Sequence, residues 1–208
     1  MNLHISQITA LAEIDRQLGG SLLSPAEYEI TRQVIYHTAD FEYANLLRFD
    51  RDPLNKGAAA ISSRTSLVVD VPAIQVSIVP LLQQTFCNSV YCCTTTAVKP
   101  QKLKTKAAWG LETLAKHHAE SIYIIGQDRG ALATLAELTE KKFIKPALAI
   151  VTTPMFVEPH MKQWLKDTEI ACIYIDSPKG GSLIAASIIN SLVELTWQAY
   201  EVNANSSS

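Results

Sequence analysis

Ser121-Ile122-Tyr123-Ile124-Ile125-Gly126-Gln127-Asp128-Arg129-Gly130 is an almost wholly apolar strand that breaks at a glycine and opens at once into a helix. A strand with no polar side is covered on both faces, the habit of a parallel sheet flanked by helices. Outward from it, short β-branched runs at 66–71, 88–94, 147–152 and 170–176 accompany helical patterns at 101–118, 129–142, 159–167 and 182–200. Such alternation builds successive βαβ units. The expectation is an α/β protein: a three-layer α/β/α sandwich with a mostly parallel sheet of about five strands.

The first 65 residues read differently, as helices at 5–18 and 25–37 and a short helical stretch at 55–63. They are expected to form an N-terminal helical cap on the same domain, which spans 1–202. Ser24-Pro25-Ala26-Glu27 writes the start of the second helix, with a serine cap, a proline at the first helical position and a glutamate reaching back. The polar run Asn203-Ala204-Asn205-Ser206-Ser207-Ser208 is expected to fray.

Of 208 residues, 48% are hydrophobic and 18% charged, as in an ordinary globular protein with an apolar interior or a dimer face. A formal charge of −2 gives no basic field for nucleic acid. No run approaches the roughly 18 apolar residues of a membrane span, and Met1-Asn2-Leu3-His4-Ile5-Ser6 lacks a basic and apolar leader, so a cytoplasmic protein is expected. Cys87, Cys92, Cys93 and Cys172 form no CxxC pair and read as reduced thiols, with no metal site.

Ligands of such sheets collect beyond the carboxyl ends of the strands. Asp70 lies there, able to bind a ligand or cap a turn. Gly126 starts a strand-to-helix turn that lacks the spacing of a dinucleotide fingerprint. Thr152-Thr153-Pro154-Met155-Phe156-Val157 suggests a pocket wall. Lys179-Gly180-Gly181-Ser182 offers amides, a cation and a hydroxyl before the terminal helix, which suits an anion but is no Walker loop. Lys102, Lys104 and Lys106 add local positive charge. His37, in the last turn of its helix, sees exposed carbonyls that favour imidazolium, as a general acid requires.

These blocks, in this order and over nearly the whole chain, resemble the precorrin-8X methylmutase family. The family's helix ending in a histidine is similar to Tyr36-His37-Thr38-Ala39-Asp40. Its strand followed by an aspartate resembles Leu67 to Asp70, and its threonine-arginine-serine turn Thr105-Lys106-Ala107. Gly126, Phe156-Val157, Gly180-Gly181-Ser182 and the helix Ala185 to Leu192 match further blocks. The resemblance implies an α/β/α sandwich, usually a homodimer, that moves a methyl group between adjacent ring-C carbons of precorrin-8X or cobalt-precorrin-8 with no external cofactor. A histidine acid would act at the macrocycle, while Asp70, Thr105, Lys106, Gly126, Lys179, Gly180, Gly181 and Ser182 would bind the substrate.

Aligned on Asp40 without a gap, the family histidine falls on Tyr36, and His37 lies about 100° further round the helix. Tyr36 and His37 are therefore both candidates for the acid. Lys106 stands for an arginine, Gln127-Asp128-Arg129-Gly130 for an asparagine-alanine-proline-threonine run, Met155 for a glycine and Pro178 for a basic residue. These departures suit an alternative, a non-catalytic tetrapyrrole-binding or carrier relative.

Overall fold

Ser24 and Glu27 close the capping box read from the sequence: Ser24 Oγ accepts from the Glu27 N–H, and the Glu27 carboxylate accepts from the Ser24 N–H at 2.8 Å. The computed structural model describes residues 4–20, 22–97, 103–155 and 159–206. In chain order the elements begin α1 (Ile5–Leu18), α2 (Pro25–Thr38), α3 (Tyr43–Leu46), β1 (Leu47–Asp50), α4 (Pro53–Ser62) and β2 (Leu67–Val69). The chain continues through α5 (Pro72–Gln84), β3 (Val90–Cys92), a 3-10 turn (Cys93–Thr95), α6 (Lys106–Ala115) and β4 (Ile122–Ile125). It closes with α7 (Arg129–Glu140), β5 (Leu148–Val151), α8 (Pro159–Asp167), β6 (Cys172–Ile175) and α9 (Ser182–Ser206).

The strands form one sheet in the order β1-β6-β5-β4-β2-β3, parallel except for β1, which runs antiparallel to β6. Side chains alternate between its faces. Leu67, Val69, Ile122, Ile124, Leu148 and Ile150 join a core with residues of α2, α4, α5 and α9, while Val68, Tyr123, Ile125, Ala149 and Val151 join another with α6, α7 and α8. The three-layer sandwich is therefore as expected. The N-terminal helices form an outer layer on one face, with α2 against α9 and α1 against α2.

Two expectations need correction, and one helix, α5, falls where no pattern was read. The sheet has a sixth strand among the described residues, because Leu47-Arg48-Phe49-Asp50 pairs along β6 before Arg51 and Asp52, with φ of 64° and 59°, turn the chain away. A strand that short, followed by a proline-started helix, left little pattern to read. The crossover from β2 to β3 is α5, which runs on through Pro80 and starts at Pro72. Residues 203–206 continue α9 rather than fray, because the helix is held upstream by Trp197 and Tyr200 against Phe86; Ser207 and Ser208 lie outside the described residues.

Candidate functional site

The carboxyl ends of β2, β4, β5 and β6 converge on a cluster of turns that places most of the sequence-read residues. Asp70 follows β2 and is fully buried. Its carboxylate accepts three backbone N–H groups of the β4–α7 turn, from Gly126 at 3.1 Å and from Gln127 and Asp128 at 2.7 Å each. Burial raises this carboxyl above its usual range, and the three donors offset only part of that rise. Asp70 thus fastens the neighbouring turn, the capping alternative read from the sequence. Gly126 is buried too, and a Cβ there would stand 2.6 Å from Ile74 Cδ1 and 3.1 Å from Ser182 Cα. Its bareness admits α9, not a ligand.

Thr105 caps α6, accepting from the Ala108 N–H at 3.1 Å and donating to Asp128 Oδ1 at 2.7 Å. Asp128 in turn caps α7 by accepting from the Ala131 N–H. The Thr105 hydroxyl joins two helix starts, and the residue is exposed at the carboxyl end of the sheet. Lys106, the first residue of α6, is exposed and has no partner among the described residues. Lys104 pairs with Glu112 and lies over the Trp109 ring, and Lys102 lies outside the described residues.

The turn between β6 and α9 is pinned to β5. Gly181 N–H donates to the Thr152 carbonyl at 2.7 Å, and Thr152 Oγ1 donates to the Gly181 carbonyl at 3.0 Å. A Cβ on Gly180 would stand 2.0 Å from the Thr152 carbonyl oxygen, and Gly181 has φ +130°, so both positions require glycine. Ser182 Oγ donates to Gln127 Oε1 at 3.1 Å, joining this turn to the one Asp70 holds. The suggested pocket wall is only partly of that kind: Thr153 bonds the Ile125 carbonyl, Met155 is buried in the core, and Phe156 and Val157 lie outside the described residues.

Lys179 reaches back to the loop after α2. Its Nζ lies 2.5 Å from Asp40 Oδ2 and 3.0 Å from Glu42 Oε2, with the Tyr43 ring beneath. The hydrogen bond from Lys179 holds the Asp40 carboxyl below its usual range, and the same bond raises the lysine. This bridge draws the end of α2 to the start of α9. There His37 is exposed, its Nδ1 2.8 Å from the Gln33 carbonyl and 3.1 Å from Ser187 Oγ, while Nε2 has no partner among the described residues. Tyr36 is half-buried and edge-on to the His37 ring at 5.1 Å, and its phenol lacks a hydrogen bond among the described residues. Ser187 is five residues, about 7.5 Å, along α9 from Ser182.

His37, Lys179 and Ser182 therefore share one end of the sheet with Lys106, a cation without a partner among the described residues. The arrangement brings an imidazole, an exposed lysine, a lysine held by two carboxylates and the start of a helix to one end of the sheet. A concavity of about 1500 Å³ lies at the opposite end, lined by Ser66, His118, Ser121 and Ala147 at the strand starts. It contains none of the predicted site residues.

Sequence comparison matches residues 7–195 to the family described as precorrin-8X methylmutase. The chain belongs to the precorrin-8X methylmutase family. A cobalt-precorrin-8 methylmutase from Synechocystis sp. is 32% identical, the match covering 94% of this chain and 97% of that protein. One from Methanocaldococcus jannaschii is 30% identical over 80% of this chain and 79% of that one. The crystal structure of precorrin-8X methylmutase from Thermus thermophilus superposes with a TM-score of 0.83 at 25% identity, covering 93% of this chain and 96% of that chain. No helix among the described residues is long and apolar enough to cross a membrane.

Within this methylmutase-family fold, sequence reasoning missed Gln127, Asp128, Ser187 and the Asp40–Glu42 pair on Lys179. Asp128 carried a readable signal, a capping residue just before a helical pattern. Ser187 carried none, because its partner is 150 residues away.

Proposed function

We propose that the chain moves a methyl group between adjacent ring-C carbons of precorrin-8X or cobalt-precorrin-8, in the cytoplasm and as a homodimer. Family membership supports the reaction, and one observation carries the mechanism: His37 is tied at Nδ1 and open at Nε2, beside the turn that offers Lys179 and the start of α9.

The reaction is an isomerisation, so nothing is gained or lost overall. The His37 imidazolium donates or shares the Nε2 proton with the macrocycle near ring C, which withdraws electron density from the migration terminus and eases the shift. The methyl group then breaks its bond to one ring carbon as it forms a bond to the next, and the proton returns to His37. A phenol, with an ordinary pKa of about 10, is a far weaker acid at neutral pH than imidazolium, which favours His37 over Tyr36. The acetate and propionate groups around the macrocycle pair with Lys106 and Lys179 and meet the amides of Gly180, Gly181 and Ser182. Lys179 exchanges Asp40 and Glu42 for a substrate carboxylate as it does so.

Incubating the purified protein with precorrin-8X and following its absorption spectrum tests this reading. Conversion is expected, with His37→Ala reducing turnover about a hundredfold or more and Tyr36→Phe retaining most of it. A bound but unconverted substrate would mark a carrier and overturn the catalytic reading, while full activity in both variants would overturn the acid mechanism.

A further inference from the structure

We infer that Ser187 is the positioning residue for the acid, holding His37 as its Nδ1–H tautomer with Nε2 turned to the carboxyl-end turns. This rests on the reading of His37 as the acid. Ser187 is buried near the start of α9, with a relative exposure of 4%, yet its hydroxyl faces two groups at once. Its Oγ lies 2.9 Å from the Leu183 carbonyl and 3.1 Å from His37 Nδ1. The hydroxyl donates its proton where it bonds Leu183, since a carbonyl cannot donate, and in that arrangement its oxygen is left to accept from His37.

The second neighbour of Nδ1 is the Gln33 carbonyl, 2.8 Å away, also an acceptor. Two acceptors converge on one ring nitrogen. A bare lone pair at Nδ1 would face both of them, so the proton resides there and the neutral ring keeps its basic lone pair on Nε2. In the imidazolium the transferable proton is then the one on Nε2, the nitrogen without a partner among the described residues.

The two acceptors do different work. Gln33 belongs to the same helix as His37 and moves with it, one turn back. Ser187 stands on α9 and ties the ring to the element that also carries Ser182, so it fixes the ring's rotation relative to the turns expected to hold the substrate. The hydroxyl of Ser191, one turn further along, donates to the Ser187 carbonyl at 2.7 Å and does not compete for Nδ1. A ring held only from its own helix would swing, and small errors of aim at a reacting centre lower turnover without weakening binding.

The test joins nuclear magnetic resonance to kinetics. With the imidazole nitrogens labelled and His37 assigned through His37→Ala, the neutral ring should show a protonated Nδ1 and a bare Nε2. Ser187→Ala should move it toward a mixture of tautomers and lower kcat about five- to tenfold, with KM within about twofold. Ser187→Val, which fills the space without offering an acceptor, should act likewise, and Ser187→Thr should restore both readouts. An Nε2–H ring in the parent protein, or an unaltered spectrum and kcat in Ser187→Ala, overturns the inference. Full turnover in His37→Ala removes the acid reading and this inference with it; loss of turnover there beside an unaffected Ser187→Ala removes this inference alone.

Discussion

Asp70 has no route to solvent, so its three N–H donors are all that compensate the charge it carries. Asp70→Asn would set an NH2 group against backbone donors that need an acceptor. The substitution is expected to cost about 2–4 kcal/mol of stability by urea unfolding, since a buried donor left without its acceptor bears the full desolvation penalty. Turnover should fall as well, because the released turn carries Gln127, the partner of Ser182. His118 makes a separate prediction at the other end of the sheet, beside Ser66 and the Tyr91 ring. Burial, helped by His117, lowers its pKa, so the folded ring takes up a proton less readily than the unfolded one. Between the lowered folded value and the unfolded value of about 6.5, unfolding binds a proton, and stability rises with pH. The contribution is complete above the unfolded value and is lost as the pH falls through the folded one. His118→Gln should therefore flatten the difference in urea midpoint between about pH 5 and pH 7.5. An unchanged slope would show that His118 is not linked to folding. Junction residues such as Asp70, Thr105 and Ser182 were legible because a strand end is a local signal. Their bonding was not, because Asp70 meets residues 56 to 58 positions away.

At the scale of elements, two helical glycines separate a close approach to backbone from one to side chains. A Cβ on Gly110 of α6 would stand 2.0 Å from the Cys93 carbonyl oxygen, in the 3-10 turn that follows β3. A Cβ on Gly57 of α4 would meet only the methyl ends of Leu192 and Leu148, at 2.7 and 2.9 Å. Side-chain ends can shift and a carbonyl fixed in a turn cannot. Gly110→Ala is expected to cost about 3 kcal/mol or more and Gly57→Ala about 1 kcal/mol, measured by thermal or urea unfolding. Equal costs would mean that α6 can lift away from the turn. Elements were legible in proportion to how far their pattern was local. The capping box set the start of α2, and doubly apolar runs marked the central strands. Pro80 concealed α5, whose continuity depends on burial against β2, β3 and α9. The antiparallel edge strand β1 is fixed by pairing with β6, more than a hundred residues on, which no periodicity in four residues encodes.

The whole molecule is organised around a sheet whose strands serve two cores. In β4, Ile122 and Ile124 belong to the core under α9, while Tyr123 and Ile125 belong to the core under α6 and α7. The alternation repeats in β2 and β5, so neither core can form without ordering the strands of the other. Leu192 of α9 and Leu135 of α7 lie on opposite faces, with relative exposures of 2% and 0%. Leu192→Ala and Leu135→Ala should each cost about 2–5 kcal/mol through lost contacts and a residual cavity. If the cores are coupled as this geometry requires, each variant shifts one common transition, with near- and far-ultraviolet circular dichroism coinciding. The double variant should lose the sum of the two costs to within about 0.5 kcal/mol, since the leucines share no partner across the sheet. Two separable transitions, with Leu135→Ala moving only one of them, would instead make the α6–α8 face an independent folding unit. The carboxyl-end site would then stand on a floor that opens by itself, because Asp128 and Thr105 belong to that face while His37, Lys179 and Ser182 belong to the other.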